Sequence, residues 1–272
     1  MSQHRTSRPR PSASMLIAGA LIFILAVVTV VGALTAYQFP EPVTEQAEKT
    51  DLLYQAVLAI SFFVFFGVTA GIIFAIFRYR RRPGDPLPEQ IHGSDKLEFT
   101  WTVIPILILI GLFVPSLLLV IDLKTPPDAN EIDLTVEAIG HQWWWEFDYP
   151  DDGVKVQTTP PNYDDLQPPV LVLPVGQDIV IKVRSTDVIH SFYAPNTLYK
   201  IQAVPGNINE LHLKITKAGI YTGQCYQFCG LRHSDMRFVI DARSEADYEA
   251  WLREAKATQG TVPEQKQLAE TQ

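Results

Sequence analysis

Cysteine is nearly absent. There are two, Cys225 and Cys229, in 272 residues, too few for the disulfide framework on which small secreted domains rely. Charge is also scarce: 19% of residues are charged, below the roughly 25% of an average soluble domain. With 47% hydrophobic residues beside that, wholesale disorder is excluded, because the chain has ample apolar surface to bury. An excess of positive charge is missing too. The chain has 22 Lys and Arg against 30 Asp and Glu, a formal net charge of −8 and a pI near 5.2. A nucleic-acid binder needs a basic face, so nucleic acid is not an expected partner.

These averages conceal a division. Residues 1–122 carry 9 basic and 9 acidic side chains, and residues 123–272 carry 13 and 21. The net charge therefore belongs to the second part, as in a membrane anchor followed by an acidic soluble domain. The apolar runs are 15–37, 52–77 and 99–121, and none contains a charge. At 1.5 Å per residue, about 23 residues of helix cross the roughly 30 Å hydrocarbon core. Residues 52–77 and 99–121 are expected to form a transmembrane hairpin within 52–122. The first run follows Arg5, Arg8 and Arg10 and suits either a retained first span or a cleaved signal; both readings stay open for segment 1–51. Arg78, Arg80, Arg81 and Arg82 follow the second run, whereas the 38–51 loop is acidic. The positive-inside rule then puts the 78–98 loop inside and everything after residue 121 outside.

From residue 131 the pattern changes to short β-rich segments (132–139, 170–175, 179–183, 208–215, 219–222 and 236–240), separated by turn signals. Regularly spaced short strands point to a β-sandwich or barrel over 123–257. A helix over 245–256, with Ser244 and Asp247 resembling a capping box, closes it, and 258–272 is a polar tail.

The chemistry lies in residues 223–236, which read Cys225-x3-Cys229-x3-His233-x2-Met236, with His190 upstream at the end of a candidate strand. Thiolates, imidazoles and a thioether are soft or borderline ligands that favour copper over hard cations. His190, Cys229, His233 and Met236 would satisfy a mononuclear copper site. Cys225 adds a second thiolate, so that two cysteines could bridge two coppers, with one His for each and Met236 and a backbone carbonyl at the ends. A disulfide explains neither His233 nor Met236, and zinc rarely takes a thioether.

This segment resembles the CuA loop of cytochrome c oxidase subunit II. Further along the chain, His92-Gly93-Ser94-Asp95-Lys96-Leu97-Glu98-Phe99-Thr100-Trp101 is similar to the family's entry to its last membrane helix. Gly140-His141-Gln142-Trp143-Trp144-Trp145 is similar to its aromatic segment, and Asp187-Val188-Ile189-His190 to its first-histidine strand. The likeness covers roughly 50–250 and implies a cupredoxin-like β-domain on two or three transmembrane helices of a respiratory membrane. It further implies partnership with haem-copper oxidase subunit I and with cytochrome c. By position the copper ligands would be His190, Cys225, Cys229, His233, Met236 and the backbone carbonyl of Gln227. Trp143 would be the point of electron entry, Glu98 the mouth of a proton-uptake path, and Trp144 and Trp145 packing residues. Asp148, Asp151, Asp152 and Asp187 would attract a basic donor. Gln227 departs from the family's usual Glu, which puts a magnesium site at the subunit I contact in doubt, since a neutral amide is a weaker Mg²⁺ ligand than a carboxylate. A quinol oxidase subunit would lack the cysteines, and a copper carrier would not need the Glu98 and Trp143 segments. A nitric oxide reductase with a CuA subunit stays open.

Overall fold

The computed structural model describes residues 40–258, apart from 82–83, 88–89, 91, 126, 129 and 158–167, together with 23–24, 27–28 and 31–32, which are helical. Most of the first apolar run and nearly all of the polar tail lie outside the described residues. The chain divides into two compact units, residues 1–39 with 54–112, and residues 40–53 with 113–272.

Two long helices, α1 (Glu45–Arg78) and α2 (Asp95–Lys124), carry the second and third apolar runs. At 1.5 Å per residue they are about 50 and 45 Å long, enough to cross a bilayer. Their most apolar stretches bury nothing within the chain; Phe63, Phe65, Leu107 and Phe113 all stand exposed. In water such surface would be unstable, whereas in hydrocarbon it is satisfied. Pro105 and Pro115 lie within the continuous span of α2.

The outer unit is a sandwich of two five-stranded sheets. The first has the order β3 (Val154–Gln157), β2 (Trp144–Tyr149), β1 (Leu134–His141), β5 (Asp178–Ser185), β8 (Asn209–Lys214). The second runs β4 (Val170–Pro174), β10 (Arg237–Arg243), β9 (Gly219–Cys225), β6 (His190–Tyr193), β7 (Ile201–Ala203). Strand β2 shows the period of two directly. Trp145, Phe147 and Tyr149 point into the core, fully buried, while Trp144, Glu146 and Asp148 take the outer face. Phe192 and Phe238 stack at 4.3 Å between the sheets, and Trp145 meets both edge-on at 5.6 and 5.9 Å. Burying each such ring stabilises by roughly 1.5–3 kcal/mol. The closing helix α3 (Glu245–Ala257) buries Tyr248, Trp251 and Ala255, and Ser244 Oγ accepts the Asp247 N–H at 3.3 Å as the capping pattern predicts.

Three features differ from the sequence expectation. Strands β2, β3 and β7 were not expected, and His190 opens β6 rather than closing a strand. Residues 40–51 are not a free acidic loop: Thr44 bridges to Ile215, Val43 and Ala47 are buried, and Glu45 begins α1. The apolar residues Val43 and Ala47, hidden among four carboxylates, supply the buried face.

Candidate metal centre

The donor groups converge at one end of the sandwich, next to the aromatic core. Cys225 ends β9, Met236 immediately precedes β10, and the Cys225 N–H donates to the Met236 carbonyl at 2.9 Å, closing the loop between them. His233 starts a short 3-10 turn (His233–Asp235) in that loop. His190 enters from β6, its ring 6.1 Å from that of Trp145.

The two thiols are free, and their sulfurs stand 3.9 Å apart. Around Cys225 Sγ lie His190 Nδ1 at 3.9 Å and the Gln227 carbonyl at 3.2 Å. Around Cys229 Sγ lie His233 Nδ1 at 3.5 Å and Met236 Sδ at 3.9 Å. Each half thus has one thiol, one imidazole Nδ1 and one weak donor. His190, Cys225, Cys229 and Met236 are all buried, whereas His233 is half-buried and Gln227 exposed. The donor set contains no carboxylate, which excludes hard cations by ligand chemistry. Six donors exceed the four that a single soft ion takes. The residues fit a pair of copper ions.

Asp187 organises the surround. Its Oδ1 lies 2.8 Å from His190 Nε2 and 2.6 Å from the Val188 N–H, and its Oδ2 accepts the Gln142 N–H at 2.6 Å. Burial works against its charge, but these hydrogen bonds outweigh it and hold the carboxyl below the usual carboxylate range. An imidazole that gives its Nε2 proton to Asp187 presents the Nδ1 lone pair towards Cys225. Burial disfavours the His190 cation, yet its bonds to Cys225 and Asp187 raise its pKa overall. Burial also raises Cys225, but His190 and the backbone groups of Ser191 and Gln227 reverse the effect and lower it. Cys229 is pushed up to about 12 by burial and the adjacent Cys225 sulfur.

Two glycines make the geometry possible. A Cβ on Gly140 would lie 2.9 Å from His190 Cδ2. Gly230 has φ +124°, and a Cβ there would lie 3.0 Å from Trp143 Nε1.

The structure brings Trp143 to the centre, where its indole N–H donates to the Cys229 carbonyl at 3.2 Å. Trp145 packs the core, and Trp144 stacks on His141 at 4.0 Å, its ring turned only 4° from that of the histidine. Glu98 is not part of this site. It lies in the first turn of α2, exposed, where its Oε1 accepts the Ser94 N–H at 3.3 Å. The four proposed docking carboxylates are not equivalent. Asp187 is engaged by His190, Asp148 pairs with Lys155 at 2.7 Å across the β2–β3 register, and Asp152 pairs with Lys256 at 2.7 Å. Asp151 is exposed. Sequence reasoning overlooked Gln142, whose side-chain amide donates to the Cys229 carbonyl at 2.8 Å; no local pattern marks a contact between residues 87 apart.

A cluster of soft donors able to hold a metal, in a β-sandwich that follows helices long and apolar enough to cross a membrane, defines a membrane-anchored protein with a cupredoxin-like domain. The family model described as the periplasmic domain of cytochrome c oxidase subunit II matches residues 134–243, and the model of its transmembrane domain matches 32–119. The chain is 35% identical over 190 residues to cytochrome c oxidase subunit 2 of Alkalihalophilus pseudofirmus, covering 66% of this chain and about half, 52%, of that relative's length. It is 30% identical over 243 residues to the Cereibacter sphaeroides protein of the same name, covering 79% of this chain and 78% of that one. With the Schizosaccharomyces pombe protein, again cytochrome c oxidase subunit 2, identity is 35% over 210 residues, covering 71% and 82%. The crystal structure of the periplasmic domain of subunit II of cytochrome oxidase of Bradyrhizobium japonicum is 34% identical, covering 47% of this chain and 97% of that one, with a TM-score of 0.42. The chain belongs to the cytochrome c oxidase subunit II family, a membrane protein whose β-domain faces outward.

Proposed function

We propose that this chain is the electron-entry subunit of a respiratory haem-copper oxidase, holding binuclear CuA between His190, Cys225, Cys229, His233, Met236 and the Gln227 carbonyl. The observation that carries the proposal is the pairing of donors: one thiol, one imidazole Nδ1 and one weak donor on each side of a 3.9 Å sulfur–sulfur separation. When bound, the copper pair supplies a one-electron relay that accepts single electrons from cytochrome c and delivers them to haem in subunit I, where oxygen is reduced and protons are translocated.

The chain's own residues prepare that relay. Burial excludes water from the thiols. Asp187 fixes the His190 ring, and outer partners of this kind are commonly worth about 10- to 100-fold in metal affinity or activity. Trp143 bonds directly to the Cys229 main chain, giving the donor's electron a short covalent and hydrogen-bonded route into a ligand. Glu98, on the inner end of α2, opens the proton path into subunit I. Gln227 supplies its carbonyl to copper, while its neutral side chain makes the magnesium site at the subunit I contact weak or absent.

The test is metal analysis with electron paramagnetic resonance on the purified chain reconstituted with copper. Two coppers per chain and a hyperfine pattern of one unpaired electron shared by two copper nuclei are expected. A single copper per chain, or a single-nucleus pattern, overturns the assignment.

A further inference from the structure

Gln142 lies in the two-residue turn between β1 and β2, where His141 pairs with Trp144. It is not a donor in the metal centre, yet it holds two of the groups that surround it. Its backbone N–H donates to Asp187 Oδ2 at 2.6 Å, and Asp187 Oδ1 holds His190 Nε2 at 2.8 Å. Its side-chain Nε2 donates to the Cys229 carbonyl at 2.8 Å. That carbonyl is also the acceptor of the Trp143 indole at 3.2 Å. Both lone pairs of one oxygen are thus taken by consecutive residues of one turn. The adjoining backbone has no slack. Gly230 sits at φ +124°, and a Cβ there would fall 3.3 Å from Gln142 Nε2 as well as 3.0 Å from Trp143 Nε1.

The indole bond is the longer of the two, and an exposed loop carrying Phe228 and Leu231 flanks Cys229 and Gly230. Left to the indole alone, the 229–230 peptide could rotate away with that loop. The shorter amide bond fixes where the carbonyl points.

We propose that Gln142 is a positioning residue for electron entry: its amide holds the Cys229 carbonyl for the Trp143 indole, and its main chain anchors the carboxylate that orients His190. This rests on Trp143 being the entry point. Gln142 acts through the atoms it holds, the Cys229 carbonyl and the Asp187 carboxylate.

The experiment uses the assembled oxidase with Gln142→Met, which keeps length and removes both amide donors, and Gln142→Glu, which keeps shape and loses donation at neutral pH. Both keep the backbone N–H, so Asp187 and His190 stay in place. Copper content and the copper absorption envelope are expected to stay at the parent values. Electron entry from cytochrome c is expected to slow by about tenfold, the lower end of what outer partners contribute. The ultraviolet resonance Raman band of the Trp143 N–H, identified by its loss in Trp143→Phe, should move towards weaker hydrogen bonding. The double variant Gln142→Met/Trp143→Phe should be no slower than Trp143→Phe alone, because the two act through one carbonyl. An unchanged entry rate in both Gln142 variants overturns the inference. So does loss of copper, which would make Gln142 a fold-holding residue only, and so does an additive double variant. If Trp143→Phe itself leaves entry unchanged, it is the electron-entry reading that falls.

Discussion

An alanine at position 140 has nowhere to put its methyl group. The Cβ would lie 2.9 Å from His190 Cδ2, 3.1 Å from Cγ and 3.3 Å from Cβ, whereas carbon atoms rest at about 3.5–4.0 Å. The ring would have to retreat by roughly 0.6–1 Å to restore contact. It is fully buried, flanked by Trp145 at 6.1 Å between centroids and bonded to Asp187 at 2.8 Å, so it cannot retreat without moving Nδ1. Overpacking of this kind costs about 1–3 kcal/mol. At roughly 4 °C per kcal/mol for a domain of this size, Gly140→Ala should lower the Tm of the copper-free chain by about 4–12 °C. A displaced imidazole should also weaken copper binding by about 10- to 100-fold. Thermal unfolding in detergent and competitive titration against a copper chelator measure the two effects. Gly67→Ala is the control, because a Cβ there meets nothing within 4 Å. If Gly140→Ala matches the parent in both measurements, His190 is not held by contact with β1, and the packing argument for the ligand's position fails.

Other expectations follow from individual contacts. Trp143→Phe keeps an aromatic side chain but loses the indole and the N–H given to Cys229, so stopped-flow electron entry should slow while the copper absorption stays unchanged; an unchanged rate would reject the entry role. Glu98→Gln retains an acceptor for the Ser94 N–H, so the helix start survives and only the proton function is removed; turnover should fall under proton-limited conditions, and equal turnover would leave Glu98 as a cap. Turnover with a basic donor should decline as salt rises, since exposed charges are screened within about 8–10 Å, and a flat profile would contradict electrostatic docking. Within that effect Asp151→Asn should raise the apparent KM for the donor more than Asp148→Asn or Asp152→Asn, because Lys155 and Lys256 already offset the latter two.

The candidate metal ligands were legible because the loop is local. Four of the side chains fall within twelve positions, and their chemistry is rare enough to speak without a fold. His190 was legible only with the flanking pattern, and its place at the start of β6 depends on a pairing with Ala203 that no periodicity marks. Asp187 shows the limit more clearly. As a sequence it is one more acid near a histidine and reads as a docking charge; in the fold its side chain takes part in four hydrogen bonds and orients His190. Strand β2 was hidden because Trp144–Tyr149 is too rich in charge and aromatic rings to score as a simple apolar alternation, although its faces alternate without exception. The docking of residues 40–53 escaped for a different reason. Val43 and Ala47 are too few to signal burial among Glu41, Glu45 and Glu48, and their partners lie far away in the chain.

That last contact sets an order of events. The Gln46 side chain accepts the Lys214 N–H, 168 residues later, and Lys217 pairs with Glu41, 176 residues later. At synthesis rates of about 5–20 residues per second, the outer stretch that starts α1 waits roughly 8–35 s for its partner to emerge. Both membrane spans are made during that interval, and the second must deliver the β-domain to the same side as residues 40–53 before the bridge at Thr44 can close. A chain with a span missing or reversed would leave Val43 and Ala47 without the surface that buries them, and the edge strand β8 without the contacts that Thr44 and Gln46 make at its end.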